Sequence, residues 1–393
     1  MPLKDLFLIL IFIALSNFVS AGAWTKMADF GGTTGRHRAI GLSIGNKGYM
    51  GTGHYNGAGV ETYYSDWWEY DPATNAWSQK ADYIGNSGLG DLGLLSIEIP
   101  DINVGYVGLG ELDHNSFYKY LPATNTWAKV SSPPLEYFNE RRGFTIGHKS
   151  YFFAWSDPYS VFEYDVDTDT WTQKNQSQYN LGGSRRSCFS INGVGYVKMN
   201  SYICSYDPTT DSWGFHSSHQ GIPDHSAQTY VQNNKAYFVT GYSGPSLNPT
   251  SEVWEFDPVA QTYIRLEDFP GTSRRFASSL TINGIGYLGT GTNGTNFKDF
   301  WRFDPSKVAS AEEFNIDKFS AYPNPTFDKV NFHSEQFSDF TIQILNFTGQ
   351  IIGNKQAING SASFYREMHI PGMYFYKVIT DDQVIHSDKI IIQ

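Results

Sequence analysis

Arginine is the residue type whose placement in this chain most invites a chemical reading. Pairs recur along the sequence: Arg36 and Arg38, Arg141 and Arg142, Arg185 and Arg186, Arg274 and Arg275. A guanidinium is a planar fork of donors that matches a carboxylate or sulfate. One reading is a pocket for an anion: a uronic or sialic acid, a sulfated glycan, or an acidic peptide. The other is that one arginine of each pair braces neighbouring segments through backbone carbonyls or aspartates, because structural ion networks imitate sites. His37, His54, His114 and His225 stand on nearby segments, as do Tyr55, Tyr63, Tyr64, Trp155 and Tyr242. For these rings, stacking on sugar faces competes with packing of the loops on themselves. No histidines stand at a metal-ligand spacing, and there is no serine nucleophile elbow, phosphate loop or zinc motif. Asp167 and Asp169 offer two carboxylates, which is short of a calcium ligand set. The residues themselves assign no catalytic group, metal or cofactor. The candidate ligand-binding set is Arg36, Arg38, His54, Tyr55, Arg141, Arg142, Arg185, Arg186, His225, Arg274 and Arg275.

What positions these residues is a repeat. An apolar, aromatic-rich segment ends in Asp-Pro or a variant, and an aromatic follows. The instances are WWEYDPATNAW (Trp67–Trp77), FYKYLPATNTW (Phe117–Trp127), VFEYDVDTDTW (Val161–Trp171), ICSYDPTTDSW (Ile203–Trp213) and VWEFDPVAQTY (Val253–Tyr263). A last instance, FWRFDP (Phe300–Pro305), lacks its closing aromatic. From Trp77 through Trp127, Trp171 and Trp213 to Tyr263 the steps run from 42 to 50 residues, the size of a propeller blade. Upstream of the signatures lie SINGVGYV (Ser190–Val197), TINGIGYLGTG (Thr281–Gly291) and SIGNKGYMGTG (Ser43–Gly53). Asn-Gly between apolar runs is a hairpin signal, because both turn residues need positive φ. Each unit therefore reads as four strands, a to d. The Asn-Gly turn joins a to b, strand c ends at Asp-Pro, and strand d carries the tryptophan.

These residues resemble the kelch repeat family over about Trp24 to Pro305. The resemblance implies a β-propeller. The glycine pair that usually ends strand b is Gly-Thr-Gly in the first and last units and is absent in the third (Ala154-Trp155) and fourth (Met199-Asn200). The sixth unit needs a fourth strand, and Trp24-Thr-Lys-Met has the look of strand d. We expect six blades closed by the N-terminal strand, which leaves the ring no open edge.

With a–b and c–d turns short and uniform, length variation falls on the b–c and d–a loops. Long b–c loops are Gly53–Asp66, Gly241–Glu252 and Gly291–Asp299; long d–a loops are Ser78–Leu92 and Val130–Arg142. Function concentrates in variable loops on a rigid scaffold, so the expected working face is theirs. The arginine pairs fall where d–a loops enter strand a. Four blades would thus aim guanidinium groups at the funnel mouth, although the Arg-to-Tyr spacing differs between blades and not all can point alike.

Composition agrees with a folded all-β protein: 393 residues, 16% aromatic, 38 glycines, 40% hydrophobic and 17% charged. A net charge of −11 argues against nucleic acid or an anionic membrane as a general partner. Leu6 to Val19 is almost wholly apolar and ends in Ser20-Ala21-Gly22-Ala23. This reads as a secretory signal peptide over residues 1–23, too short to span a bilayer. Cys188 falls on strand a and Cys204 on strand c of one blade, with strand b between them. Strands about 4.8 Å apart put them beyond disulfide reach, so two free, buried thiols are expected.

After Pro305 the pattern stops. Residues 306–319 read as a linker. AYPNPTFDKVNF (Ala321–Phe332), FTIQILNFTGQII (Phe340–Ile352), GMYFYKVITDDQ (Gly372–Gln383) and SDKIIIQ (Ser387–Gln393) alternate like the short strands of a small β-sandwich. Tyr-Pro-Asn-Pro, the Thr-Gly-Gln turn, Gly-x-Tyr-Phe and the final Lys-Ile-Ile-Ile-Gln, in that order, resemble the type A C-terminal sorting domain of the Bacteroidota type IX secretion system. That resemblance covers 320–393 with an Ig-like sandwich. It implies the secretion machinery as a partner, removal of the tail, and release from or attachment to the outer-membrane surface.

The expectation for function is a non-catalytic binding protein at or beyond the cell surface, recognising a glycan or protein through the long-loop face. The alternative is a sugar-acid enzyme in the funnel, by resemblance to sialic acid mutarotases of the same propeller type. An enzyme should show a carboxylate or histidine facing the arginines in a deep funnel. A glycan binder should show aromatics beside them, and an adhesin a broad apolar patch.

Overall fold

The computed structural model describes residues 23–393 apart from 135–142, 154–156, 182–185, 220, 224, 244–247, 308–318, 336, 347–350, 366–370 and 381–382. The expected signal peptide lies outside this range apart from Ala23. Among the described residues, strands dominate and helix is confined to two single 3₁₀ turns. The chain divides into two compact units at residue 308.

The first unit holds six four-stranded antiparallel sheets, each hydrogen-bonded in the order a-b-c-d. Sheet 1 is Ile40–Ile44, Lys47–Gly51, Trp67–Asp71 and Ala76–Lys80; sheet 2 is Leu95–Glu98, Gly105–Gly108, Phe117–Leu121 and Thr126–Lys129. Sheet 3 is Phe144–Ile146, Lys149–Phe153, Val161–Asp165 and Thr170–Gln173; sheet 4 is Cys188–Ile191, Val194–Lys198, Tyr202–Asp207 and Ser212–Ser218. Sheet 5 is Gln228–Gln232, Lys235–Val239, Val253–Asp257 and Thr262–Arg265. Sheet 6 takes Ser278–Ile282, Ile285–Gly289 and Phe300–Phe303 from one end of the repeat region and Trp24–Lys26 from the other, with Trp24 opposite Phe303.

Turn chemistry explains the hairpins. Asn192 and Gly193, Asn283 and Gly284, and Asn233 and Asn234 all have positive φ, as a two-residue primed turn requires. The residue two before the closing aromatic of strand d is also left-handed: Asn75, Asn125, Asp169, Asp211 and Gln261. Its role explains the repeat. Asn75 Oδ1 accepts the Tyr70 hydroxyl of strand c at 2.9 Å and the Ala28 N–H, which precedes the sheet, at 2.9 Å. Trp77 Nε1 donates back to the Ala28 carbonyl at 3.2 Å. The same clasp recurs with Asn125, Tyr120, Trp127 and Ala81, and with Asp169, Tyr164, Trp171 and Ser131. The aspartate ending strand c caps the turn locally: Asp71 accepts Ala73 N–H, Asp207 accepts Thr209 N–H and Asp257 accepts Val259 N–H.

Apolar cores lie between sheets. Leu42 and Ile44 of sheet 1 pack with Val107 and Tyr120 of sheet 2. Comparable cores join sheets 2 and 3, 3 and 4, 4 and 5, and 5 and 6. Another joins sheet 6 to sheet 1 through Leu280, Tyr287 and Phe300 against Met50 and Tyr70. Cys188 sits on strand a and Cys204 on strand c, both opposite Val197 of strand b. Both thiols are free, as expected, but with one correction: Cys204 is buried and Cys188 is half-buried. Cys188 begins its strand, at the end where strand a opens to the loops.

The second unit pairs a three-stranded sheet (Phe319–Tyr322, Lys329–Ser334, Ser361–Tyr365) with a four-stranded one (Ile351–Gln356, Thr341–Leu345, Gly372–Thr380, Gln383–Ile392). Phe319 opens a strand here rather than ending a linker. Val330, Phe332 and Phe364 of one sheet share a core with Ile342, Ile344, Tyr376, Val378 and Ile390 of the other. The Tyr-Pro-Asn-Pro segment is pinned to the last strand. Asn324 Nδ2 donates to the Lys389 carbonyl at 2.9 Å, and Asn324 Oδ1 accepts the Ile391 N–H at 2.9 Å.

Candidate functional site

The two arginine pairs among the described residues, Arg36 with Arg38 and Arg274 with Arg275, do not occupy equivalent places. Register aligns the sheets, since Ser43 faces Gly48 and Thr281 faces Gly286. On that alignment Arg36 matches Arg274, whereas Arg38 matches Phe276 and Arg275 matches His37. Arg36 and Arg274 are fully buried. Arg274 Nη1 and Nη2 grip both oxygens of Asp299 at 2.6 and 2.8 Å, and Nη1 also donates to the Thr290 carbonyl at 2.9 Å. Its plane lies over Phe269 and Phe297, at 4.9 and 4.5 Å. Arg36 repeats this with both oxygens of Asp66, the Thr52 carbonyl, and the rings of Phe30 and Tyr64. Trp68 and Trp301 Nε1 donate to the same carboxylates at 2.8 and 2.7 Å. Burial pushes the Asp299 carboxyl up, and the Arg274 guanidinium with the Trp301 indole outweighs it and holds it below the usual range. These two arginines are braces, a correction to the expectation that they face the mouth. In sheet 2 the matching place holds Asp91, buried and accepting the N–H groups of Leu92, Leu112 and Asp113.

The residues that do converge lie just ahead of strand a. Arg38, Gly93, Ser226 and Phe276 all have positive φ. Phe276 N–H donates to Ser226 Oγ at 3.2 Å, Arg38 N–H to the Phe276 carbonyl at 2.9 Å, and Gly93 N–H to the Arg38 carbonyl at 3.1 Å. A left-handed backbone at a bulky residue such as Phe276 is costly and persists only when its surroundings fix it. These links hold sheets 5, 6, 1 and 2 around a cavity of about 160 Å³. Its wall is rich in hydroxyls, with Ser96, Ser226, Gln228, Ser278 and Ser279 under the rim residues Arg38 and Phe276. Ser279 Oγ donates to Gln228 Oε1 at 2.9 Å, while the buried Ser278 Oγ has no hydrogen-bond partner among the described residues.

Arg38 crosses the face of Phe276 at 4.9 Å and pairs with Glu111 at 2.7 Å, both side chains partly open to solvent. Arg275 lies over Phe276 at 5.2 Å and Tyr242 at 5.9 Å. A row of rings runs through this rim. Tyr63 stacks on His54 at 5.0 Å, the tilted ring of His37 meets His54 at 4.8 Å, and His37 approaches Phe276 at 5.8 Å. Tyr242 follows at 6.0 Å from Phe276, and His225 at 5.3 Å from Tyr242. So Arg38, Arg275, His54 and His225 come together. Tyr55 is half-buried and packs against Gly57 of its own loop, where an added Cβ would meet its hydroxyl. Arg186 donates to Asn200 Oδ1 at 3.1 Å. Arg141, Arg142, Arg185 and Trp155 lie outside the described residues.

Glu98 is a perturbed carboxylate that sequence reasoning missed, and it lies outside the lining of that cavity. It is two positions beyond Ser96, on the same face of strand a. Burial pushes its carboxyl up to about 8, against the lowering effect of the Ser43 N–H at 2.7 Å. An acid near neutrality is able to give or take a proton. Glu111 and Phe276 were also missed. The brace did leave a signal, since Asp66-Trp67-Trp68 and Asp299-Phe300-Trp301 each set a carboxylate two before a tryptophan in a unit that carries a matching arginine.

Stacked four-stranded sheets with a polar mouth at their loop end define an exported protein of the β-propeller class once the tail is considered. Residues 320–393 match the secretion system C-terminal sorting domain family. That tail sends the chain through type IX secretion to the exterior or the cell surface. Among solved structures, that of YjhT is similar, with a TM-score of 0.55 at 15% identity, covering 70% of this chain and 95% of that one. The likeness shows the fold. No curated protein matches the chain. No helix among the described residues is long and apolar enough to cross a membrane.

Proposed function

We propose that this is a secreted or cell-surface binding protein that recognises a glycan through the long-loop face of a six-bladed, kelch-type propeller closed by its N-terminal strand. The inter-sheet cores support the ring, since each sheet packs on the next and sheet 6 packs on sheet 1. The strand a segments also pack in that cyclic order. The observation that carries the ligand class is Arg38 laid over Phe276 beside Glu111, above the hydroxyl wall. Glu111 offsets one of the two guanidiniums at this rim. A ligand with hydroxyls, a ring face and at most one acid group matches it better than a polyanion. The test is a glycan array on the full chain, comparing native protein with Arg38→Ala/Arg275→Ala. Loss of bound saccharides in the variant supports the reading; equal binding rejects the rim.

A second reading, a sugar-acid enzyme, rests on Glu98, which stands two positions beyond the cavity residue Ser96 on the same face of strand a, with its carboxyl pushed up by burial. Its test is proton NMR of reducing sugar acids with native chain and Glu98→Gln. Faster anomer exchange that the variant abolishes would move the function from binding to turnover.

A further inference from the structure

His54 opens a two-residue strand, His54–Tyr55, paired with Thr62–Tyr63 in the long b–c loop of sheet 1. Its side chain is buried, yet neither ring nitrogen has a hydrogen-bond partner among the described residues. A buried polar group left unmatched is costly. The ring is stacked on Tyr63 and lies against the tilted ring of His37, contacts that restrict its rotation toward a partner. Glu61 Oε1 stands 3.9 Å from Nε2, too far for a hydrogen bond, and its side chain is 66% exposed.

We propose that His54 and Glu61 form a subsite for one hydroxyl of a bound saccharide, flanking the rim of Arg38 and Phe276. The inference rests on the glycan reading and adds the groups that select the ligand. An oxygen about 2.8 Å from both Nε2 and Oε1 fits a 3.9 Å separation with an angle near 90° at that oxygen. Nε2–H donates to the hydroxyl, and the hydroxyl donates to the carboxylate, so Nε2 gains the partner it lacks. A methyl or a hydrogen at that place leaves both groups unmatched, which makes the subsite selective.

The charged and titratable groups facing His54 are Glu61 and Tyr63 on its own hairpin and His37 and Arg38 on the preceding segment, while Glu111 from sheet 2 acts on Tyr63. Burial lowers the imidazole below its usual range, Glu61 opposes that and Arg38 adds to it. The ring is therefore neutral at pH 7. On acidification the imidazolium pairs directly with Glu61 and closes the gap to the hydroxyl.

The experiment is calorimetry of D-glucuronic acid and D-glucose on the full chain, native and with His54→Phe, His54→Gln and Glu61→Gln. The ¹⁵N signals of His54 are followed in parallel. Phenylalanine keeps the ring stack and removes the nitrogens; glutamine restores a donor. The expected result is sugar binding that His54→Phe weakens about tenfold, that His54→Gln restores in part, and that weakens on acidification, with His54 ¹⁵N shifts saturating alongside the heat. Native-like affinity in His54→Phe overturns the subsite while leaving the glycan reading intact. Binding of neither sugar by native protein that keeps its thermal transition overturns both.

Discussion

Replacing Arg274 with alanine separates brace from binding site more cleanly than any other change. The substitution removes two bonds to Asp299 and one to the Thr290 carbonyl, and it uncovers Phe269 and Phe297. Asp299 is left as a largely buried carboxylate whose remaining side-chain donor is the Trp301 indole. Breaking a buried pair from one side costs about 3–5 kcal/mol. With about 2.1 cal/mol/K of unfolding entropy per residue, a unit ending near residue 308 loses roughly 5–8 °C of Tm for that cost. Arg38→Ala breaks a pair partly open to solvent and should cost under about 1 kcal/mol, or 2 °C. Removing both charges, Arg274→Met with Asp299→Leu, should recover much of the single-mutant loss. Circular dichroism melts of the three variants against native protein decide it. A loss of under 2 °C for Arg274→Ala, or an equal loss for Arg38→Ala, refutes the division.

Glu98→Gln should flatten the pH dependence of stability. An acid whose folded value exceeds its unfolded one destabilises the fold as pH rises from about 4.5 through 8. The full shift is worth at most about 5 kcal/mol; partial access to solvent reduces that to about 2, read from urea midpoints at pH 5 and 9. His148, hydrogen-bonded to Asp101 at 2.9 Å and to Asp167 at 2.8 Å, is raised by those two bonds. Its stabilisation is therefore full below about pH 6.5 and is lost as pH climbs through the folded value; His148→Gln should remove that portion of the native Tm decline. In the second unit, Asn324→Ala gives up the bonds to Lys389 and Ile391 and should cost about 1–2 kcal/mol, visible as faster proteolysis at the C-terminus.

Much of the fold was legible because local signals agree with it. Asn-Gly turns mark the a–b hairpins, and the spacing from the c-strand tyrosine to the d-strand tryptophan follows from one clasp repeated between sheets. The site was legible only in type. Arg36 and Arg38 stand two apart on a backbone turned left-handed at Arg38, so one faces inward to Asp66 and the other reaches the rim. Sequence proximity carries no record of that turn. Phe276 holds the place of Arg38 in the neighbouring sheet, so equivalence by register is not equivalence by residue type. Glu98 was hidden for another reason, since a carboxylate in an alternating strand reads as an exposed position.

Trp24–Lys26 pairs with a strand about 280 residues downstream. The earliest part of the first unit to be synthesised is thus the last to gain its partner, and sheet 6 stays a three-stranded fragment until both ends of the repeat region meet. Closure over so long a separation is slow relative to local hairpins. A chain halted before Phe303, or trimmed past Trp24, would expose the edge of Phe300–Phe303 together with the faces of Phe269 and Phe303 that Trp24 covers. The N-terminal strand therefore works as a completeness check: a shortened chain shows a sticky edge, and a whole one does not.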